Sequence, residues 1–195
     1  MISLPPRPWY RWIKMPVVDS LFFCGLFLLL GKWYINRWAG NMPIPEKKKF
    51  SPLPPFTFVK NIIGKLEFRM NISRPIGCIE FKIYLNEIKH QPGVFYIWPK
   101  HRIVFIFVDG KDFAIAVYVN HVLIRDDIMT MLMGRNMAPS RKIQFAFEDV
   151  VTYLRLNRTD IINPRCDASE GQCKKLGSQY LPPVLVSNVA LLKGP

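Results

Sequence analysis

Apolar and polar residues alternate along two neighbouring stretches of the chain. Leu66, Phe68, Met70 and Ile72 interleave with Glu67, Arg69 and Asn71, and after Arg74-Pro75-Ile76-Gly77 the pattern resumes as Ile79, Phe81, Ile83 and Leu85 against Glu80, Lys82, Tyr84 and Asn86. A period of two predicts a pair of strands, each with one buried face. Val94 to Trp98 reads as a third, shorter strand. Ile103 to Val108 and Asp112 to Val119 are apolar on both faces and flank Asp109-Gly110-Lys111, a hairpin connection. Strands buried on both sides require a cover, which a helix over Asp126–Met133 or one over Phe147–Leu156 is expected to supply. In the second of these, Phe147, Val150, Val151 and Leu154 form a helical stripe. The apolar run from Pro183 to Leu192 is expected to pair as a strand or to dock on a partner.

Upstream the periodicity disappears. Leu21 to Leu30 is an apolar run bounded by Asp19 and Lys32. Trp9 and Trp12 precede it and Trp33 and Trp38 follow it, the placement of two aromatic belts at membrane interfaces. Trp12 to Trp33 spans about 31 Å as a helix, close to the thickness of the hydrocarbon layer. Prolines 43, 45, 52, 54 and 55 then favour an extended stem. The expected organisation is an N-terminal tail over 1–15, a single transmembrane helix over 16–36, a Pro-rich basic stem over 37–56, and a β-rich (α+β) domain over 57–195 with an extended C-terminal arm. The expected fold of that domain is an antiparallel sandwich with one or two short helices.

The stretch Phe113-Ala-Ile-Ala-Val-Tyr-Val-Asn-His-Val-Leu-Ile resembles the strand, tight turn and strand of concanavalin-like and galectin-like sandwiches. The resemblance covers about a dozen residues, places His121 where a turn glycine is expected, and lacks the polar sugar-binding constellation. It implies an architecture and carries over no residue or activity.

Charge narrows the partners. Twenty-seven Lys and Arg against 14 Asp and Glu give a net +13, which fits acidic proteins, anionic lipid or nucleic acid. The charge is dispersed rather than gathered into an aromatic-studded patch, which argues against nucleic acid. The one dense run, Lys47-Lys48-Lys49, follows the apolar segment and suits lipid head groups such as cardiolipin, or an acidic partner.

Candidate chemistry is sparse. Cys166 and Cys173 flank a polar loop and are the candidate disulfide, with two unpaired thiols the open alternative. Cys24 lies in the apolar segment, and Cys78, in an alternating strand, reads as a small core residue. His90, His101 and His121 do not cluster with the cysteines, so no metal spacing emerges. Asp126-Asp127 reads as a helix N-terminus. GxSxG, GxGxxG and P-loop motifs are absent, so the chain is expected to be neither an enzyme nor dependent on a cofactor. Two glycosylation sequons begin at Asn71 and Asn157.

Together these features predict a non-catalytic accessory subunit of a large multi-subunit membrane complex, by preference in the mitochondrial inner membrane, with the complex's other subunits as partners. The alternative is a glycosylated single-pass auxiliary subunit of a channel, receptor or transporter, with a lumenal or extracellular β-sandwich.

Overall fold

The computed structural model describes residues 25–45, 49, 53–74, 77–89, 91, 93–98, 101–121 and 126–164. A short helix α1 (Gly25–Leu29) leads into eight strands: β1 (Gly31–Gly40), β2 (Phe56–Lys60), β3 (Leu66–Arg74), β4 (Gly77–Glu87), β5 (Val94–Ile97), β6 (His101–Asp109), β7 (Phe113–His121) and β8 (Asp126–Gly134). Helix α2 (Arg141–Tyr153) and a 3₁₀ turn (Arg158–Asp160) follow. Each strand pairs antiparallel with the next, and β8 returns to pair with β1, so the sheet closes into a barrel. Closure joins the first strand to the last and removes the need for a second sheet.

The register sorts every alternating stretch into an inner and an outer face. The pairs Leu66 with Leu85, Phe68 with Ile83, Met70 with Phe81 and Ile72 with Ile79 lie on the inner side of β3 and β4. On β6 and β7 the inner pairs are His101 with Asn120, Ile103 with Tyr118, Phe105 with Ala116 and Phe107 with Ala114. The outer residues of β7, namely Phe113, Ile115 and Val117, pack with Ala39 and Leu132 under Ile143, Phe147 and Val151 of α2. A strand that faces the lumen on one side and a helix on the other is apolar on both faces, which explains the lost alternation in β7. Ser140 caps α2 by accepting from the Ile143 amide at 3.4 Å.

Several expectations are corrected. The segment expected to cross a membrane as one helix over 16–36 is divided: 25–29 is helix, and Gly31 to Asn36 is already strand β1. Among the described residues no helix is long and apolar enough to cross a membrane. The sandwich is replaced by a closed barrel because β1, hidden in the expected span, supplies the strand that joins β8. Arg37 to Gly40, expected in the stem, complete β1, and Phe56 opens β2. Asp126–Met133 is strand β8, not a helix. The helix expected over Phe147–Leu156 begins earlier, at Arg141, and it does cover the outer wall. The arm over 183–192 lies outside the described residues.

Candidate functional site

The barrel has two different ends. At the end where β1 starts, Leu29 of α1 reaches into the core beside Trp33, Phe56 and Phe58. Trp33 is fully buried and its indole donates to the Leu29 carbonyl at 2.6 Å. Arg135, just beyond β8, lays its guanidinium carbon 3.8 Å from the centre of the Trp33 ring. The same guanidinium donates to the carbonyls of Leu28 (2.7 Å), Leu30 (2.7 Å) and Lys32 (2.8 Å). Burial lowers the Arg135 pKa and neighbouring Asp112 opposes that shift, but an arginine starts so high that the group stays cationic. One side chain thus ties α1, β1 and the segment after β8 into a plug. Gly134 makes the plug possible, since a methyl group there would lie 2.6 Å from the Phe113 ring and 2.5 Å from the Asn136 carbonyl.

Inside, the wall is apolar and aromatic. Phe58, Phe95 and Phe105 pack edge-on, with Phe58 to Phe105 at 5.4 Å and Phe95 to Phe105 at 5.6 Å. Toward the other end, where β1, β3, β5 and β7 terminate, the inward side chains of Ile72, Phe81, Ile97 and Met131 are only partly buried. These inward positions keep some accessible surface, in contrast to the fully buried core beside the plug. Ala114 and Ala116 on β7 present small side chains inward and are fully buried in the core.

A polar group interrupts this lining near the open end. His101, Tyr118, Asn120 and Asp127 occupy inward positions on three consecutive strands, with His101 opposite Asn120 and Asn120 opposite Asp127. The His101 and Tyr118 rings stack at 5.4 Å. Across β8 lies Trp38, opposite Met131, with Ile44 and Ile162 packed against it. Among the polar atoms of this group that are buried without a hydrogen-bond partner are Trp38 Nε1, His101 Nδ1 and Tyr118 Oη. Burial lowers the His101 pKa while the Asn120 side chain pulls the other way, which leaves the imidazole neutral at pH 7. Burial, reinforced by the Asp127 carboxylate, holds the Tyr118 phenol well above its usual range, so its proton is retained.

Sequence reasoning missed this constellation. Asp127 is expected at a helix N-terminus, His101 counts only among histidines that do not cluster with the cysteines, Trp38 is placed at a membrane interface, and Tyr118 carries no signal beyond its aromaticity. Of the residues singled out in the sequence, Trp33 and Trp38 are interior side chains of β1 rather than membrane belts. Asn71 is exposed on β3. Asn157 caps the 3₁₀ turn and accepts from the Thr159 amide at 3.1 Å. Lys49 is partly buried in the connection between β1 and β2. Trp9, Trp12, Lys47, Lys48, Cys166 and Cys173 lie outside the described residues. Cys78, expected as a small core residue, is disulfide-bonded. Among the described residues no group of three His, Cys, Asp or Glu side chains is placed to hold a metal ion. An open groove of about 390 Å³ lies on the outer face, lined by Lys60, Ile62, Ile63, Glu67, Arg69 and Tyr84 among others. It is shallow and solvent-open.

No family model and no curated protein matches the chain. Among solved structures it is similar to the siderocalin Ex-FABP, a protein described as functioning through dual ligand specificities, with a TM-score of 0.61 and 17% sequence identity. The match covers 73% of this chain and 97% of the siderocalin. This likeness is one of fold: the chain forms a lipocalin-like, eight-stranded antiparallel barrel, in place of the membrane helix and sandwich that its hydropathy predicts.

Proposed function

We propose that the protein binds a small, largely apolar molecule in the lumen of its barrel. The observation that carries this reading is the lining itself: inward apolar side chains that keep accessible surface, set above a plugged end, with unpartnered polar atoms near the open one. Small barrels of this strand number either fill their interior with side chains or hold one small ligand. Apolar cups with a few polar groups are the usual form of small-molecule sites. This replaces the accessory-subunit reading, which rested on a membrane helix that the described residues do not form.

Titration with N-phenyl-1-naphthylamine, a neutral apolar fluorophore that brightens out of water, tests the reading. Saturable binding of one probe per chain is expected, accompanied by a change in Trp38 emission. Met131→Trp, which places a large ring at a partly accessible inward position, is expected to abolish that binding while the far-ultraviolet circular dichroism stays that of a folded β protein. A folded protein that fails to bind any neutral apolar probe would overturn the proposal.

A further inference from the structure

Resting on the lumen reading above, we infer that the natural ligand carries an uncharged, hydrogen-bonding oxygen function, such as a hydroxyl, ketone or amide carbonyl, and that the barrel selects against carboxylates. The argument begins with what the polar end of the lumen offers. Trp38 and Tyr118 are 6% and 7% exposed, and the indole Nε1 and the phenol oxygen meet no partner. A buried donor without an acceptor is costly, and a ligand oxygen arriving at that place removes the cost. The indole can only donate, the phenol can donate or accept, and the stacked His101 ring adds a further unpartnered nitrogen, Nδ1. This set suits a neutral oxygen that accepts one hydrogen bond and, if it is a hydroxyl, donates another.

The same place is ill suited to an anion. No Lys or Arg occupies an inward position of β5, β6, β7 or β8. The charged residue at an inward position of β8 is Asp127, close enough to act on the Tyr118 phenol. A carboxylate seated here would shed water, would gain no cationic partner from the described inward positions of β5 to β8, and would face a second carboxylate. The net charge of +13 works in the other direction, drawing anions toward the protein. Selection against a carboxylate would therefore originate in the lumen rather than in the surface field.

The test is displacement of N-phenyl-1-naphthylamine from the full chain at pH 7.5 by three ligands of equal length: 1-decanol, decanoate and decylamine. Decanol is expected to displace the probe at a concentration at least about tenfold lower than decanoate, and lower than decylamine. Tyr118→Phe and Trp38→Phe should each shrink the ratio of decanol to decanoate affinity constants toward unity by weakening decanol. If the probe binds and decanoate or decylamine competes as well as decanol, the head-group inference is overturned while the lumen reading stands. Unaltered ratios in both variants would overturn it equally. If the probe does not bind the folded protein at all, the lumen reading itself fails and this inference falls with it.

Discussion

Arg135 illustrates how much one side chain can hold. Its three charge-assisted hydrogen bonds and its stacking on Trp33 are each worth on the order of 1 to 2 kcal/mol in a partly buried setting. Arg135→Ala is expected to destabilise the fold by about 3 kcal/mol, measured by denaturant unfolding. Lysine should not rescue it, because a point charge cannot reach three carbonyls while lying flat on an indole. Tyr118→Phe has the opposite expectation for the free protein. The lost hydroxyl has no partner, so unfolding should show a change near zero or a small gain in stability, whereas loss of more than about 1 kcal/mol would mean the hydroxyl is satisfied in solution. His101 makes a pH prediction. Its folded pKa lies below the ordinary 6.5, so the unfolded chain binds more protons in that range. The contribution is fully present above pH 6.5 and is lost as pH falls from there through the folded value. The pH dependence of unfolding in the wild type and in His101→Gln should differ in that window, with the wild type losing more stability on acidification.

Among the elements, β3, β4, β6 and β7 were legible because strict alternation, or an apolar run interrupted at Asp109-Gly110, admits few other readings. β8 was not, since Ile128 to Met133 is rich in residues that form helices equally well, and only pairing with β7 and β1 decides the matter. β1 was lost to a membrane reading because its tryptophans and the preceding leucines carry a hydropathy that suits a bilayer as well as a barrel interior. The lumen's polar group could not be read at all. It is assembled by register from β1, β6, β7 and β8, and no local pattern joins Trp38 to His101. Helix α2 illustrates the energetics at this scale. Phe147 is fully buried between the helix and the outer wall of β7, so Phe147→Ala should cost about 3 to 5 kcal/mol in thermal or denaturant unfolding. Ser140→Ala, which removes only the cap, should cost about 1 kcal/mol.

At the scale of the whole molecule the closure of the barrel is uneven. Gly31 to Trp33 pair with β2, whereas from Tyr34 onward the ladder of β1 runs to β8. On its other side the mouth half of β1 is met by Ile162, through two hydrogen bonds: the Trp38 amide to the Ile162 carbonyl at 3.0 Å and the Ile162 amide to the Trp38 carbonyl at 2.8 Å. The wall between β1 and β2 is therefore a seam, stitched near the mouth by one bridge among the described residues, and the junction of β4 with β5, at two residue pairs, is comparably short. A wall breathes where its stitches are fewest. In hydrogen exchange the amides of Trp38 and Ile162 should open by a local event well below the global unfolding energy, ahead of the amides shared by β7 and β8. Trp38 borders both this seam and the polar end of the lumen, so a guest could slip in sideways through the wall, without waiting for the loops above the rim.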